Sequence, residues 1–365
     1  MKKHRWLETG IIMAGALLTT GATVDRGRLD RENLLEFRDD KGAIAPVRSI
    51  GDWQNRRAEI LAGAQKVMGP LPGPVKRVPL DVKVEEEVDC GSYVRRYITY
   101  LAEPDSRVPA YLLIPKAVLD GSAGEARPGV LCLMGTNRDI GSKVVVGLGG
   151  PKGLPNRNYG QELAERGYVT IAPFYPQMGH YKPDLKKLGY QSGTMKAIWD
   201  NIRAIDLLAS IPGVKQGGFG AIGHSLGGHN AIYTAVFEDR IKVIVSSCGF
   251  DSYLDYKDAS AWQPGRGWAQ ELYMPKILDT PLAGIPFDFH ELIGALAPRP
   301  FFANAPLRDS NYKWRSVDRV VAAAAQIYQL YNVPGLIQAE HPDSIHDFPT
   351  PARHLSYTWI ERALK

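Results

Sequence analysis

An alternating pattern of hydrophobic and polar residues runs from residue 78 to residue 115. Hydrophobic and polar residues alternate there in three segments, at 82–84, 93–100 and 110–114. A period of two is typical of β-strands that bury one face and expose the other. Polar turns separate the segments, so the pattern predicts three antiparallel strands.

After residue 128 the chain changes to short, continuously hydrophobic segments with amphipathic helical patterns between them. In residues 195–210, for example, Met195, Ile198 and Ile202 follow one another at three- and four-residue steps. Continuous hydrophobic strands that alternate with amphipathic helices indicate a mostly parallel sheet with helices on both faces. The predicted fold class is therefore α/β. The six strand segments are 129–134, 168–173, 219–223, 241–247, 300–305 and 335–339.

Residues 23–76 form a mostly polar segment ahead of this pattern. A single helical pattern over 52–68 ends at the glycine- and proline-rich run 69–74, because glycine and proline terminate helices. The sequence therefore predicts an N-terminal helical extension at 23–76 and an α/β domain at 77–365.

The first 22 residues resemble a secretory signal peptide. Three basic residues among the first five precede a hydrophobic stretch over 11–18, and small residues at 20–22 suit a cleavage site. We therefore expect a periplasmic or secreted protein. The alternative is an ordinary amphipathic N-terminal segment in a cytoplasmic protein.

Composition argues against several classes of function. The 365 residues carry 44 Lys and Arg against 39 Asp and Glu, a formal net charge of +5 without a long basic run, so we expect no nucleic-acid partner. No other hydrophobic run approaches the ~18 residues that a membrane-spanning helix needs, so we expect no membrane span.

The cysteines Cys90, Cys132 and Cys248 lack the spacing of metal ligands, and we expect neither a metal nor a cofactor. The oligomeric state is not indicated.

The strongest chemical signal is the run Gly-His-Ser-Leu-Gly at residues 223–227. It comes directly after the strand segment 219–223 and before a helical pattern over 230–237. This is a G-x-S-x-G nucleophile elbow in the strand–turn–helix context that it requires. Glycines two residues away on either side leave room for the sharp turn that exposes the serine. Ser225 is the predicted nucleophile.

A serine hydroxyl is a weak nucleophile and needs a general base together with an acid that orients the base. Elbow folds supply the acid and then the histidine later in the chain. Asp309 follows the strand segment 300–305, and His346 lies in the loop ahead of the C-terminal helix. We predict that Asp309 and His346 fill these roles.

Both predicted residues have rivals in the sequence. Asp251 and Asp255 follow the strand segment 241–247 and are alternative acids. His341, directly beyond the last strand, is the alternative base. The sequence favours Asp309 and His346 because His346 lies deeper in its loop, where a base has to reach back to the serine.

Acyl transfer needs two N–H donors for the oxyanion of its tetrahedral intermediate. The backbone N–H of Leu226, immediately after the nucleophile, is the first expected donor. The second is the backbone N–H of Thr136, in the loop after the strand segment 129–134.

With these residues in place, the chain resembles the α/β-hydrolases, in the branch of dienelactone hydrolases and bacterial acetyl xylan esterases. The resemblance rests on the elbow, on Arg308-Asp309-Ser310-Asn311 and on His346-Asp347-Phe348-Pro349. It implies a triad of Ser225, Asp309 and His346 and an eight-stranded sheet. The length of the segment 251–295, which interrupts the alternation of strands and helices after strand 6, predicts a lid-like insertion there. Dienelactone hydrolases use a cysteine nucleophile, so dienelactone itself is not the expected substrate.

The leading functional hypothesis is a serine carboxylesterase for a small-to-medium ester, with acylated carbohydrate as one substrate class. A serine peptidase or an acyltransferase would use the same residues, and a non-catalytic binding protein on this fold is the alternative from another class. Residues 251–295 contain seven aromatic residues and form either a substrate wall or a separate hydrophobic cluster. As a wall, they predict substrate contacts from Trp262 and Trp268, with Tyr175 facing them.

Overall fold

The computed structural model describes residues 27–150, 155–256 and 273–365. The segment that resembles a signal peptide, together with Trp262 and Trp268, lies outside the described residues. In the described part of the chain, no helix is both long enough and apolar enough to cross a membrane.

The N-terminal extension packs against the main domain through a single long helix. Strands β1 (Glu36–Arg38) and β2 (Ile44–Pro46) pair antiparallel ahead of helix α1 (Ile50–Met68). The helix starts with a reciprocal cap, in which the Ser49 hydroxyl accepts from the Asp52 N–H and the Asp52 carboxylate accepts from the Ser49 N–H. The predicted helix over 52–68 is therefore found within two residues of its expected start.

The main sheet contains nine strands among the described residues, one more than the resemblance implied. Its spatial order is β11-β10-β9-β8-β6-β7-β5-β4-β3. The extra strand follows from the alternating N-terminal segments, which add three antiparallel strands to the six parallel ones. The strands are β3 (Lys83–Asp89), β4 (Tyr93–Glu103), β5 (Ser106–Pro115), β6 (Arg127–Leu133), β7 (Val169–Pro173), β8 (Val214–His224), β9 (Ile241–Ser247), β10 (Phe301–Asn304) and β11 (Ile337–Glu340).

Helices cover the parallel part of the sheet on both faces. Consecutive residues of β6, β7 and β9 are almost all buried, which requires cover above and below because neighbouring side chains point to opposite faces. The predicted α/β class is confirmed. The helices are α2 (Lys116–Leu119), α3 (Tyr159–Glu165), α4 (Gly193–Ser210), α5 (Leu226–Phe237), α6 (Phe289–Gly294), α7 (Trp314–Leu330) and α8 (Thr350–Leu364).

The carboxyl ends of the parallel strands lie at one edge of the sheet. Gly223 of β8 is in register with Ser246 of β9, and Asn304 of β10 is in register with Ser247 of β9 and Glu340 of β11. The loops that leave these strands therefore start side by side. In open α/β sheets this edge is where ligands bind.

Candidate active site

Ser225 occupies a sharp turn between strand β8 and helix α5. Its backbone has φ 55° and ψ −119°, a region that residues with a Cβ rarely adopt and that is retained mostly at functional sites. A Cβ at Gly223 would collide with the backbone of Gly227, and a Cβ at Gly227 would collide with the Leu133 carbonyl; both contacts fall well under the 3.0 Å limit of real Cβ atoms. The two glycines are required for the turn that presents the serine.

Asp309 and His346 form a hydrogen-bonded pair. The two carboxylate oxygens of Asp309 lie 3.0 and 2.9 Å from His346 Nδ1, and the Asp309 side chain is 1% exposed. The same carboxylate accepts from the backbone N–H groups of Asn311 at 2.7 Å and Tyr312 at 3.2 Å, which fix its orientation. Because Nδ1–H donates to Asp309, the other ring nitrogen of His346 is left as the proton acceptor.

Ser225 and His346 line the same cavity of about 520 Å³. The His346 ring lies 4.8 Å from the ring of His224, the residue before the serine. Among the described residues no hydrogen bond joins Ser225 to His346, and such bonds are often long in enzymes without bound substrate. The full lining is Gly135, Thr136, Asn137, Val144, Arg157, His224, Ser225, Leu226, His229, Tyr256, Tyr273, Asn311, Tyr312 and His346.

The rival acids lie elsewhere and have other partners. The carboxylate of Asp251 is buried and accepts from the backbone N–H of Lys313 at 3.0 Å. Burial raises the pKa of Asp251 well above its usual range. Asp255 accepts from the Arg319 guanidinium at 2.6 Å. Of the three carboxylates considered from the sequence, Asp309 is the one that the structure places against His346.

The alternative base, His341, has two other hydrogen-bond partners at the end of the last strand. His341 Nε2 lies 2.7 Å from the Asp318 carboxylate, and its Nδ1 lies 2.8 Å from the Ala305 carbonyl oxygen. His341 is not among the residues that line the cavity, whereas His346 is.

Both expected oxyanion donors belong to cavity-lining residues. Leu226 is the first residue of α5, and N–H groups in the first turn of a helix have no partner within that helix. Thr136 follows β6, and its hydroxyl lies 3.2 Å from the hydroxyl of Tyr273. The helix dipole of α5 adds positive potential at the same point.

A charged cluster that sequence reasoning missed holds the loop of the predicted base. Arg157 pairs with the Asp347 carboxylate and donates to the His346 carbonyl oxygen at 3.0 Å, while Asn156 donates to the same carboxylate at 2.5 Å. Arg157 and Asn156 together hold the pKa of Asp347 below its usual range, against the effect of its partial burial. No local pattern marks Arg157, because its partner lies 190 residues away in the sequence.

Tyr175 is buried outside the cavity lining, and its predicted substrate contact stays a prediction. Tyr175 is 3% exposed, its hydroxyl lies 3.3 Å from that of Thr194, and it is not part of the cavity lining. Its large ring is buried in the hydrophobic core, and Tyr273, 6.4 Å from it between ring centroids, lines the cavity instead. The predicted contacts of Trp262 and Trp268 fall outside the described residues and stay predictions.

One group of potential metal ligands occurs in the site. Ligand atoms of His224, Cys248 and His346 lie within 4.8 Å of one another. Burial raises the pKa of the Cys248 thiol, with the nearby Asp309 adding to the effect, so the thiolate that metals bind is disfavoured. His346 already uses Nδ1 to bond Asp309. This chemistry favours proton transfer over metal binding, and the expectation of no metal stays a prediction.

Comparisons of the sequence with known proteins find similarity to hydrolases. Residues 137–262 match the dienelactone hydrolase family. The "Putative hydrolase YtaP" of Bacillus subtilis (strain 168) is 24% identical over 219 residues, which are 58% of this chain and 70% of that protein.

Solved structures extend the likeness over most of the chain. A glucuronoyl esterase from Solibacter usitatus superposes with a TM-score of 0.67 at 18% identity, over 90% of this chain and 97% of that one. A putative acetyl xylan esterase from Bacteroides fragilis NCTC 9343 superposes with a TM-score of 0.63 at 15% identity, over 87% and 89%. The chain is therefore a hydrolase with the α/β-hydrolase fold, and its residues 137–262 are similar to the dienelactone hydrolase family.

Proposed function

We propose that this hydrolase is a serine carboxylesterase that acts on small-to-medium esters through an acyl-enzyme at Ser225. The observation that carries the proposal is the Asp309–His346 pair at 2.9 Å, whose histidine lines the same cavity as the strained Ser225. A binding protein has no need for a serine, a base and a buried acid in this order, and that argues for catalysis.

The proposed reaction has two halves. The Ser225 hydroxyl oxygen attacks the ester carbonyl carbon while His346 accepts the hydroxyl proton, and Asp309 stabilises the resulting imidazolium. The N–H groups of Leu226 and Thr136 stabilise the oxyanion. When the intermediate collapses, the bond to the alcohol oxygen breaks and His346 returns the proton to the departing alcohol. A water molecule, deprotonated by His346, then releases the acid from Ser225 in the same way.

The polar lining of the cavity supports a polyhydroxylated substrate, such as an acylated carbohydrate. Asn137, Asn311 and Arg157 contribute amides and a guanidinium, and Tyr256 and Tyr312 pair their rings at 5.3 Å between centroids. Hydroxyl-bearing aromatic rings and amides suit sugar rings and their hydroxyls, whereas a fatty acyl chain would need an apolar channel. That two neighbours in structure are named as a glucuronoyl esterase and an acetyl xylan esterase also supports this class.

The test is a turnover screen on p-nitrophenyl esters, acetylated xylan, feruloyl esters and peptide amides. We expect ester hydrolysis that falls by ~10³-fold or more in Ser225→Ala, because triad members act as a unit. His346→Ala should be nearly as damaging, and His341→Ala is the matched control that should keep its activity. Faster turnover of peptide amides would make the chain a peptidase, and transfer to an added alcohol would make it an acyltransferase. A folded protein that turns over none of these substrates would favour the binding protein.

A further inference from the structure

Two buried polar side chains beneath the triad have no role in the reaction just described. Ser247 ends strand β9 and Asn304 ends strand β10; the two residues are in register and at most 1% exposed. The Ser247 carbonyl oxygen also accepts the backbone N–H of Ser225 at 2.8 Å. Buried polar groups are costly unless their hydrogen bonds are made, so their partners are informative.

The amide of Asn304 bridges the end of strand β9 and the loop that carries His346. Its Nδ2 donates to Ser247 Oγ at 2.8 Å and to the carbonyl oxygen of Asp347 at 2.9 Å. An amide nitrogen carries two hydrogens, so both are used. Asp347 directly follows His346 in the chain. The Asn304 side chain therefore ties the end of β9, which holds the backbone of Ser225, to the loop of the base.

The chain of hydrogen bonds continues to the nucleophile turn. Ser247 Oγ accepts from Asn304 and lies 3.0 Å from Nδ1 of His224. Burial lowers the pKa of His224 well below its usual range, and Arg157 and His346 add to the effect, so the ring is neutral. A neutral ring that accepts the Ser247 hydroxyl proton at Nδ1 carries its own hydrogen on Nε2. The Ser247 hydroxyl and both hydrogens of the Asn304 amide nitrogen then have acceptors.

We propose that Asn304 and Ser247 are positioning residues that hold the nucleophile turn and the base loop at a fixed separation. The proposal rests on the proposed function of Ser225 and His346. Asn304 acts on the base through Asp347, and Ser247 acts on the nucleophile through its own carbonyl and through His224. A displacement of ~1 Å between reacting groups is enough to lower a rate by ~10²-fold.

The test compares Ser247→Ala and Asn304→Leu with the matched control Ser246→Ala. Ser246 is the buried neighbour of Ser247 on the same strand, and its hydroxyl has no hydrogen-bond partner in the described structure. We expect kcat to fall ~10-fold in Ser247→Ala and ~10²-fold in Asn304→Leu, with KM within about threefold of wild type. The control should keep kcat within about twofold. The downfield NMR signal of the His346 Nδ1–H proton should broaden in Asn304→Leu alone.

Several results would overturn the proposal. Folded Ser247→Ala and Asn304→Leu variants with wild-type kcat would do so, and so would a rise in KM at unchanged kcat or an equal loss in Ser246→Ala. If Asn304→Leu does not fold by circular dichroism, Ser247→Ala decides. Failure of the proposed function has a different signature, which is ester turnover that survives Ser225→Ala.

Discussion

We predict that acid destabilises the fold through His229, a buried histidine of helix α5 that lines the cavity. Its side chain is 3% exposed and its ring lies 5.6 Å from that of Tyr233 and 5.8 Å from that of Tyr273. Nδ1 lies 3.2 Å from the Gly249 carbonyl oxygen, to which a neutral ring donates. Burial lowers the pKa of His229 to about 3, although the bond to Gly249 acts in the opposite direction.

The size of the stability change with pH follows from the difference in the pKa of His229 between the folded and the unfolded chain. The unfolded chain protonates this histidine below pH ~6.5, whereas the folded chain keeps it neutral down to pH about 3. Folded-state stability is therefore full above pH ~6.5 and is lost as the pH falls through that value, until the loss levels off near pH 3. At pH 5 the difference of ~1.5 pH units from the unfolded pKa corresponds to a loss of ~2 kcal/mol.

The assay is urea unfolding of wild type and His229→Gln at pH 7 and at pH 5. Other groups titrate in the same range: burial raises the pKa of Asp200 to about 6, which stabilises the fold on acidification, while the lowered pKa values of His224 and His290 destabilise it. These contributions are common to both proteins, so the comparison isolates His229. We expect wild type to lose ~2 kcal/mol more than the variant between the two pH values. An equal loss in both proteins would refute the reasoning.

Three further predictions concern the site. Asp309→Asn should lower kcat by ~10⁴-fold because the amide favours the wrong imidazole tautomer, while folded Asp251→Asn keeps most of its activity; steady-state kinetics showing the reverse would move the acid to Asp251. Gly227→Ala should abolish activity and lower Tm, since its Cβ would collide with the Leu133 carbonyl, and a variant with wild-type Tm and turnover would contradict the steric argument. Trp262→Ala should lower kcat/KM for a bulky ester but not for a minimal acetyl ester, and equal losses accompanied by a lower Tm would mean a structural role.

Much of the fold was accessible from the sequence because its signals are local. The period-two segments became β3, β4 and β5, and the helical pattern at 195–210 became α4 at Gly193–Ser210. The short strands β1 and β2 gave no such signal, since three residues are too few to show a period. The strand count implied by the resemblance was one too low, because the outer antiparallel strands belong to this chain's own pattern.

Some residues of the candidate site can likewise be predicted from local sequence signals, and others cannot. The elbow around Ser225 is a contiguous motif. Chain order and position after the last strands suggest Asp309 and His346, which the structure places together. Arg157 and Asn304 could not be found, because each acts through partners distant in sequence and belongs to no motif. The position of Tyr175 after a strand indicates the correct edge of the sheet but not whether the side chain faces the cavity, and the structure buries it outside the cavity lining.

The most direct test of the account is covalent labelling with a fluorophosphonate, followed by peptide mapping and intact-mass kinetics. The probe reacts with an activated serine, so it reports the nucleophile and its base together. We predict a single adduct on Ser225 in wild type and at the same rate in His341→Ala, with a rate at least ~10³-fold lower in His346→Ala. An adduct on another residue, or equal labelling of Ser225 in folded His346→Ala, would contradict the account.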